Sequence, residues 1–186
     1  MVFVNGFFAM TWTPWLAVVL ALFLFWAVGA YNRLIRLRSA VLQAFGALDT
    51  FYVRWIALAG DCQSAPHETG EEPDAARAAV QAATSQFGAS LAVARAQPLD
   101  GNAIAALGAG AQALESAWLS LMGKDAPQGA APDQQPWARQ REGLRQQTLP
   151  TLQAFNAAVE RYNAAIAQFP ASVLAWLFGF RKTQSL

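Results

Sequence analysis

The beginning of the chain limits its fold more than any other stretch. Between Met1 and Asn32 there is no Asp, Glu, Lys, Arg or His. Within it, Thr11–Ala30 reads TWTPWLAVVLALFLFWAVGA. Twenty residues at about 1.5 Å each make a helix about 30 Å long, which matches the hydrocarbon core of a bilayer. Thr13 followed by Pro14 is a good helix start, because the hydroxyl can cap and the proline lacks an N–H that would go unused there. Trp12, Trp15 and Tyr31 stand where interfacial aromatics are expected. Arg33, Arg36 and Arg38 then arrive together. Basic residues after an apolar run, with none before it, are the reverse of a cleaved signal peptide. They predict an uncleaved anchor over residues 1–30, N-terminus outside, with the rest of the chain in the cytoplasm.

Beyond the anchor, roughly 150 residues suffice for one domain. Alanine, leucine and glutamine dominate and β-branched runs are missing, so the spacing and composition predict an all-α domain over 31–170. A first helix continues out of the membrane, with Val41, Phe45, Leu48, Tyr52, Trp55 and Ala59 as a heptad seam extended by Leu34 and Leu37, and Gly60 as its stop. A second runs from Pro73 to Gln97, with Ala76, Val80, Ala83, Phe87, Leu91 or Ser90, and Ala94 facing inward. Its small residues permit a close neighbour. A third, capped by Asp100, runs to about Met122 on Ile104, Leu107, Ala111, Leu114, Trp118 and Leu121. Gly101, Gly108 and Gly110 weaken it by about 1 kcal/mol each. A fourth runs from about Pro136 to Phe169 on Leu152, Phe155, Val159, Tyr162, Ile166 and Phe169, with a kink or break expected at Pro150.

Four such seams predict an up-down-up-down four-helix bundle in which the membrane helix is the lower part of helix one. The 61–72 and 123–135 loops then lie at the far tip. The Pro98–Asp100 turn and the Phe169–Pro170 end lie at the membrane. The last segment, residues 171–186, is delivered to the same level. Its ASVLAWLFGF run is too short to span a bilayer and suits a short interfacial helix, with Trp176 at headgroup depth and Arg181 and Lys182 against anionic lipid.

Little points to chemistry. The net charge is +1 and no basic stripe suits nucleic acid. Cys62 is the single cysteine, so no internal disulfide forms. Asp61, Cys62, His67, Glu68, Glu71, Glu72 and Asp74 cluster at the tip but match no metal spacing, and a solvated acidic tip is the simpler reading. Phosphate loops, dinucleotide fingerprints and serine elbows are missing. Asp49 and Glu115 sit at or beside core seams and could pair with Arg54, Arg95 or Arg145. No cofactor, metal or small-molecule substrate is expected.

Two sets of residues resemble a known family. Tyr31-Asn32, Leu34, Arg38, Val41, Ala44, Leu48 and Asp49 look like the opening signature of LemA family proteins, which are bacterial. Phe155-Asn156, Val159, Tyr162-Asn163, Ile166 and Phe169-Pro170 resemble the family's repeated aromatic-Asn steps ending in Phe-Pro, and Leu174-Ala175 with Phe178-Gly179-Phe180 continues them. Pro98, Ile104, Leu107 and Glu115 are similar to its third-helix pattern. The chain departs from the family at Phe45, at Arg54-Trp55 with the following Ile56-Ala57-Leu58-Ala59, and at Leu152. The resemblance implies one membrane helix, a helical bundle and a bacterial inner-membrane location, and it implies no reaction.

The aromatic-Asn pairs invite two readings. Asn32, Asn156 and Asn163 could bond across a helix interface and hold register, or could form a polar site for a partner or lipid near the membrane. The functional expectation is a non-catalytic scaffold or accessory subunit of a membrane assembly, with membrane lipids and either a protein complex or further copies of itself as partners. A lipid-organising protein acting through its C-terminal segment is the alternative.

Overall fold

The computed structural model describes residues 12–64, 73–122, 135–169 and 171–186, leaving aside the side chains at 12, 13, 73, 74 and 135. Residues 65–72 and 123–134 of the tip loops, Pro170, and the side chains of Trp12 and Thr13 therefore lie outside the described residues. Every regular element described is a helix: α1 Trp12–Ser64, α2 Pro73–Ala96, α3 Gly101–Met122, α4 Gln135–Ala167 and α5 Ala171–Leu177.

At 53 residues, α1 is about 80 Å long. Its lower part is bare: Trp15, Leu16, Leu20, Phe23 and Phe25 are all exposed. This is a helix long and apolar enough to cross a membrane. From Leu34 upward one stripe turns inward, and Leu34, Val41, Phe45, Leu48, Tyr52 and Ala59 join the core. The backbone passes from the bare part to the packed part in one helix, as the heptad spacing predicts.

The bundle is built from two close pairs. α1 lies against α4 and α2 lies against α3, while α1 also meets α2, and α5 meets α4 and α1. Ring contacts carry these interfaces: Phe45 with Phe155 at 6.1 Å between centroids, and Tyr52 with Phe87 at 5.1 Å. The small residues of α2 and α3 let their backbones approach. A Cβ on Gly110 would stand 2.9 Å from Ser90 Oγ and 3.3 Å from Phe87 Cα. Asp100 caps α3 as expected, its Oδ1 accepting from the Asn102 N–H at 3.2 Å.

Three expectations are corrected. Gly60 does not end α1; the helix runs one more turn, to Ser64, because Ala59 and Cys62 are buried on either side and hold it. The Ser64 hydroxyl donates to the Gly60 carbonyl at 3.0 Å. Of the kink or break expected at Pro150, the break does not occur: α4 is helical from Gln135 to Ala167. Packing of the α4 stripe on α1 outweighs the one backbone hydrogen bond that proline removes. Phe169 does not close the α4 seam: it falls beyond the helix end and is 83% exposed.

Among the described residues, two ion pairs tie the helices outside the core. Asp49 on α1 takes Arg95 on α2 in a two-pronged pair, Nε to Oδ1 at 2.7 Å and Nη2 to Oδ2 at 3.2 Å. Glu115 on α3 pairs with Arg141 on α4, an arginine absent from the expected partners.

Candidate functional site: the bundle base and an asparagine-lined furrow

At the lower end of the bundle, α5 folds back under α4 and α1. Leu174 and Ala175 face inward and are buried, while Val173, Trp176 and Leu177 face out, with Trp176 82% exposed. An apolar outer face on an edge-exposed short helix suits a bilayer surface. Tyr31 fastens it to α1: its ring lies 5.0 Å from Phe178 and 6.2 Å from Phe180. Both halves of the family-like pattern thus meet here, Tyr31 from the first and Phe178-Gly179-Phe180 from the second.

Among the described residues, a pair of concavities opens at this level. One, of about 550 Å³, lies against the bare helix and is lined by Phe25, Trp26, Gly29, Arg33 and Phe169. The other, of about 720 Å³, brings Arg38, Arg181 and Lys182 together with Asp100 and Asn102 of the α2–α3 turn. Arg33 and Arg36 are exposed alongside. Burial raises the pKa of the Tyr162 hydroxyl, against an opposing influence of Arg38.

The asparagines do something that neither sequence reading named. Asn163 Nδ2 donates to the Thr183 carbonyl at 2.8 Å, and the Thr183 N–H donates back to Asn163 Oδ1 at 3.1 Å. Two turns higher on α4, Asn156 Nδ2 donates to the Leu186 carbonyl at 2.7 Å and Oδ1 accepts from the Leu186 N–H at 2.9 Å. Helix register is therefore not what Asn156 and Asn163 hold; they clamp the backbone of the chain's own last segment. Asn32 is exposed on α1 and is no part of this clamp.

The spacing explains why the segment is extended. Residues seven apart on a helix share a face and are about 10.5 Å apart along the axis. Three residues of chain reach at most about 10–11 Å. Thr183 and Leu186 can therefore engage both asparagines only when the chain between them is nearly straight. The opposite wall is α3, where two glycines repeat the same interval. A Cβ on Gly101 would meet Gln184 Cγ at 3.4 Å, and one on Gly108 would meet Leu186 Cδ2 at 3.3 Å. Glycines that weaken α3 as a helix thus lie directly against the segment, where a Cβ would be in ordinary contact at Gly101 and slightly tight at Gly108. Thr183 is buried, with its hydroxyl unpartnered among the described residues. The residues missed from the sequence are Gly101, Gly108, Thr183 and Leu186; the seven-residue interval shared by the Asn and Gly pairs was the available signal.

Higher up, Phe51, Trp55, Glu115, Arg141, Leu144 and Leu152 line a groove of about 330 Å³ between α1, α3 and α4. The Trp55 Nε1 and Arg141 Nε atoms are buried without a hydrogen-bond partner among the described residues. Asp49, grouped with the family-like residues, lies away from both base and furrow, in its pair with Arg95. No group of three or more metal-binding side chains occurs among the described residues. No family model, no curated protein and no solved structure matches this chain.

Proposed function

We propose that this protein is a single-pass scaffold or accessory subunit of a bacterial inner-membrane assembly, a divergent member of the LemA family, with its bundle on the cytoplasmic side. The observation that carries the reading is the unbroken α1: one helix supplies both the bare apolar stretch and the first core stripe of the bundle. A flexible tether would let a domain roam; a continuous helix sets the height and orientation of the bundle above the bilayer. Fixed height suits a part that docks beside other membrane proteins. The test is purification in mild detergent followed by mass spectrometry. A stoichiometric membrane partner is expected, and it should disappear when exposed bundle residues such as Val53 and Val93 are changed to charged ones. Recovery of the protein alone at all expression levels would sink the reading.

A second reading is favoured by α5. Its exposed apolar face, with Arg38, Arg181 and Lys182 around one depression, suits a bilayer surface rich in anionic lipid. In this reading the base organises lipid around the anchor. A nitroxide placed at Trp176→Cys, in a Cys62→Ala background, should be reached by oxygen and shielded from a water-soluble quencher in vesicles. Full access of the aqueous quencher would exclude it.

A further inference from the structure

We propose that the furrow between α3 and α4 is a receptor site for an extended peptide segment of a partner protein, and that residues 183–186 of this chain are its resident ligand. The clamp reads backbone: Asn156 and Asn163 each hold one N–H and one C=O, groups that every residue except proline presents. Such a site accepts many sequences provided they are extended.

Side-chain selection comes at two positions. The first residue is buried, and its hydroxyl finds no partner among the described residues, so the site is shaped for a β-branched aliphatic side chain at least as well as for threonine. The fourth lies against Gly108, where an added Cβ would stand 3.3 Å from Leu186 Cδ2, so the glycine gives a leucine its easiest fit. The second and third, Gln184 and Ser185, are exposed and carry little selection. The fitting ligand is therefore an extended segment with a valine-like residue, two free positions and a leucine.

The resident segment is attached so that it can leave. Gly179, at φ +70°, is the one described residue in the left-handed region, and it makes the turn between α5 and the clamped stretch. Arg181 and Lys182 are exposed. Releasing residues 183–186 breaks four hydrogen bonds and leaves the core stripes of α1 to α4 in place. This site deepens the scaffold reading by naming the chemistry of a partner and rests on it for a cellular role; a failed partner purification would leave peptide binding untouched, and the reverse.

The test uses the full chain in detergent with Thr183→Pro and Leu186→Pro, which removes the two donating amides of the tail and leaves the furrow unaltered. The probe is a fluorescent hexapeptide, Arg-Lys-Thr-Gln-Ser-Leu. The double variant should bind it saturably and at least tenfold more tightly than the natural chain, whose own tail competes. Adding Asn156→Ala and Asn163→Ala should abolish binding, as should N-methylation of the probe's threonine and leucine amides. A helical double variant that ignores the probe, or takes the N-methylated one equally well, overturns the proposal. If the double variant does not fold, hydrogen exchange on the natural chain decides. The Thr183 and Leu186 amides should exchange at least tenfold faster than Leu107, and faster again with excess hexapeptide. Exchange as slow as at Leu107 and unmoved by peptide overturns it too.

Discussion

Asn163 and Thr183, twenty residues apart, satisfy one another completely at the backbone: the side-chain amide donates to the carbonyl and its oxygen accepts from the N–H. Asn156 repeats this with Leu186. A net value of about 1 kcal/mol per hydrogen bond puts each pair near 2 kcal/mol. Asn163→Ala and Asn156→Ala should each lower the unfolding free energy by about that amount and expose the tail to carboxypeptidase. Thr183→Val should have the opposite sign, a gain of up to about 1 kcal/mol, because it removes a buried hydroxyl without touching the clamp. Chemical denaturation of the three variants tests this; a clamp of no consequence would leave both alanine variants at the natural midpoint.

Gly88 on α2 and Gly110 on α3 separate packing from propensity. Gly88 has open space around its missing Cβ, while Gly110 faces Ser90 and the Phe87 backbone. Gly88→Ala should stabilise by up to about 1 kcal/mol. Gly110→Ala gains the same propensity but must push α2 away, at a cost of about 1–3 kcal/mol. Thermal melts should therefore place Gly110→Ala below the natural protein and Gly88→Ala above it. The reverse order would mean that α2 and α3 pack less closely than described.

Much of this architecture was legible because apolar spacing survives into packing. Val41, Phe45, Leu48 and Tyr52 on α1 and Leu107 and Leu114 on α3 are buried where their heptads put them. Gly60 misled because its helix-ending habit is a local preference, and burial of Ala59 and Cys62 overrides it. Phe169 misled because the stripe continued in sequence after the helix had stopped. The clamp was half legible: a seven-residue interval places Asn156 and Asn163 on one face, but it says nothing of what they bind. Thr183 and Leu186 contribute backbone groups, which leave no side-chain pattern to read.

Tyr52 should give the bundle an alkaline weakness. Burial pushes its hydroxyl from 10.0 to about 12. The folded state thus favours the neutral phenol. The sign follows: the contribution is fully present below pH 10 and is lost as pH rises from 10 towards 12. Tyr162 is raised for the same reason and adds to the effect. Tyr52→Phe should match the natural protein near pH 7 in melting behaviour and lose less stability between pH 10 and 12. Parallel losses in both proteins would show that Tyr52 ionises freely in the fold.

The proposed orientation across a membrane can be tested at the end of α1. Cys62 is buried and a poor reporter, whereas Ser64, one half-turn on, is exposed. In a Cys62→Ala, Ser64→Cys chain, a membrane-impermeant maleimide should label intact spheroplasts poorly and lysed ones fully. Equal labelling of intact spheroplasts would reverse the proposed orientation and place the bundle outside.

Glu115 and Arg141 join α3 to α4 beside the groove where those helices stand apart. The arginine side chain is 13% exposed and the glutamate 35%. Burial already lowers the Arg141 pKa. The two partners should therefore respond unequally to loss of the other. Glu115→Leu strands a guanidinium that is mostly shut off from water, at a cost of about 2 kcal/mol, less than for a fully buried pair. Arg141→Met leaves a carboxylate that water still reaches, and should cost less. Combining Glu115→Leu with Arg141→Met removes both charges and fills their space, so it should recover most of the loss. Denaturation of the singles and the double closes the cycle. Strictly additive losses would mean that the pair is not formed in solution.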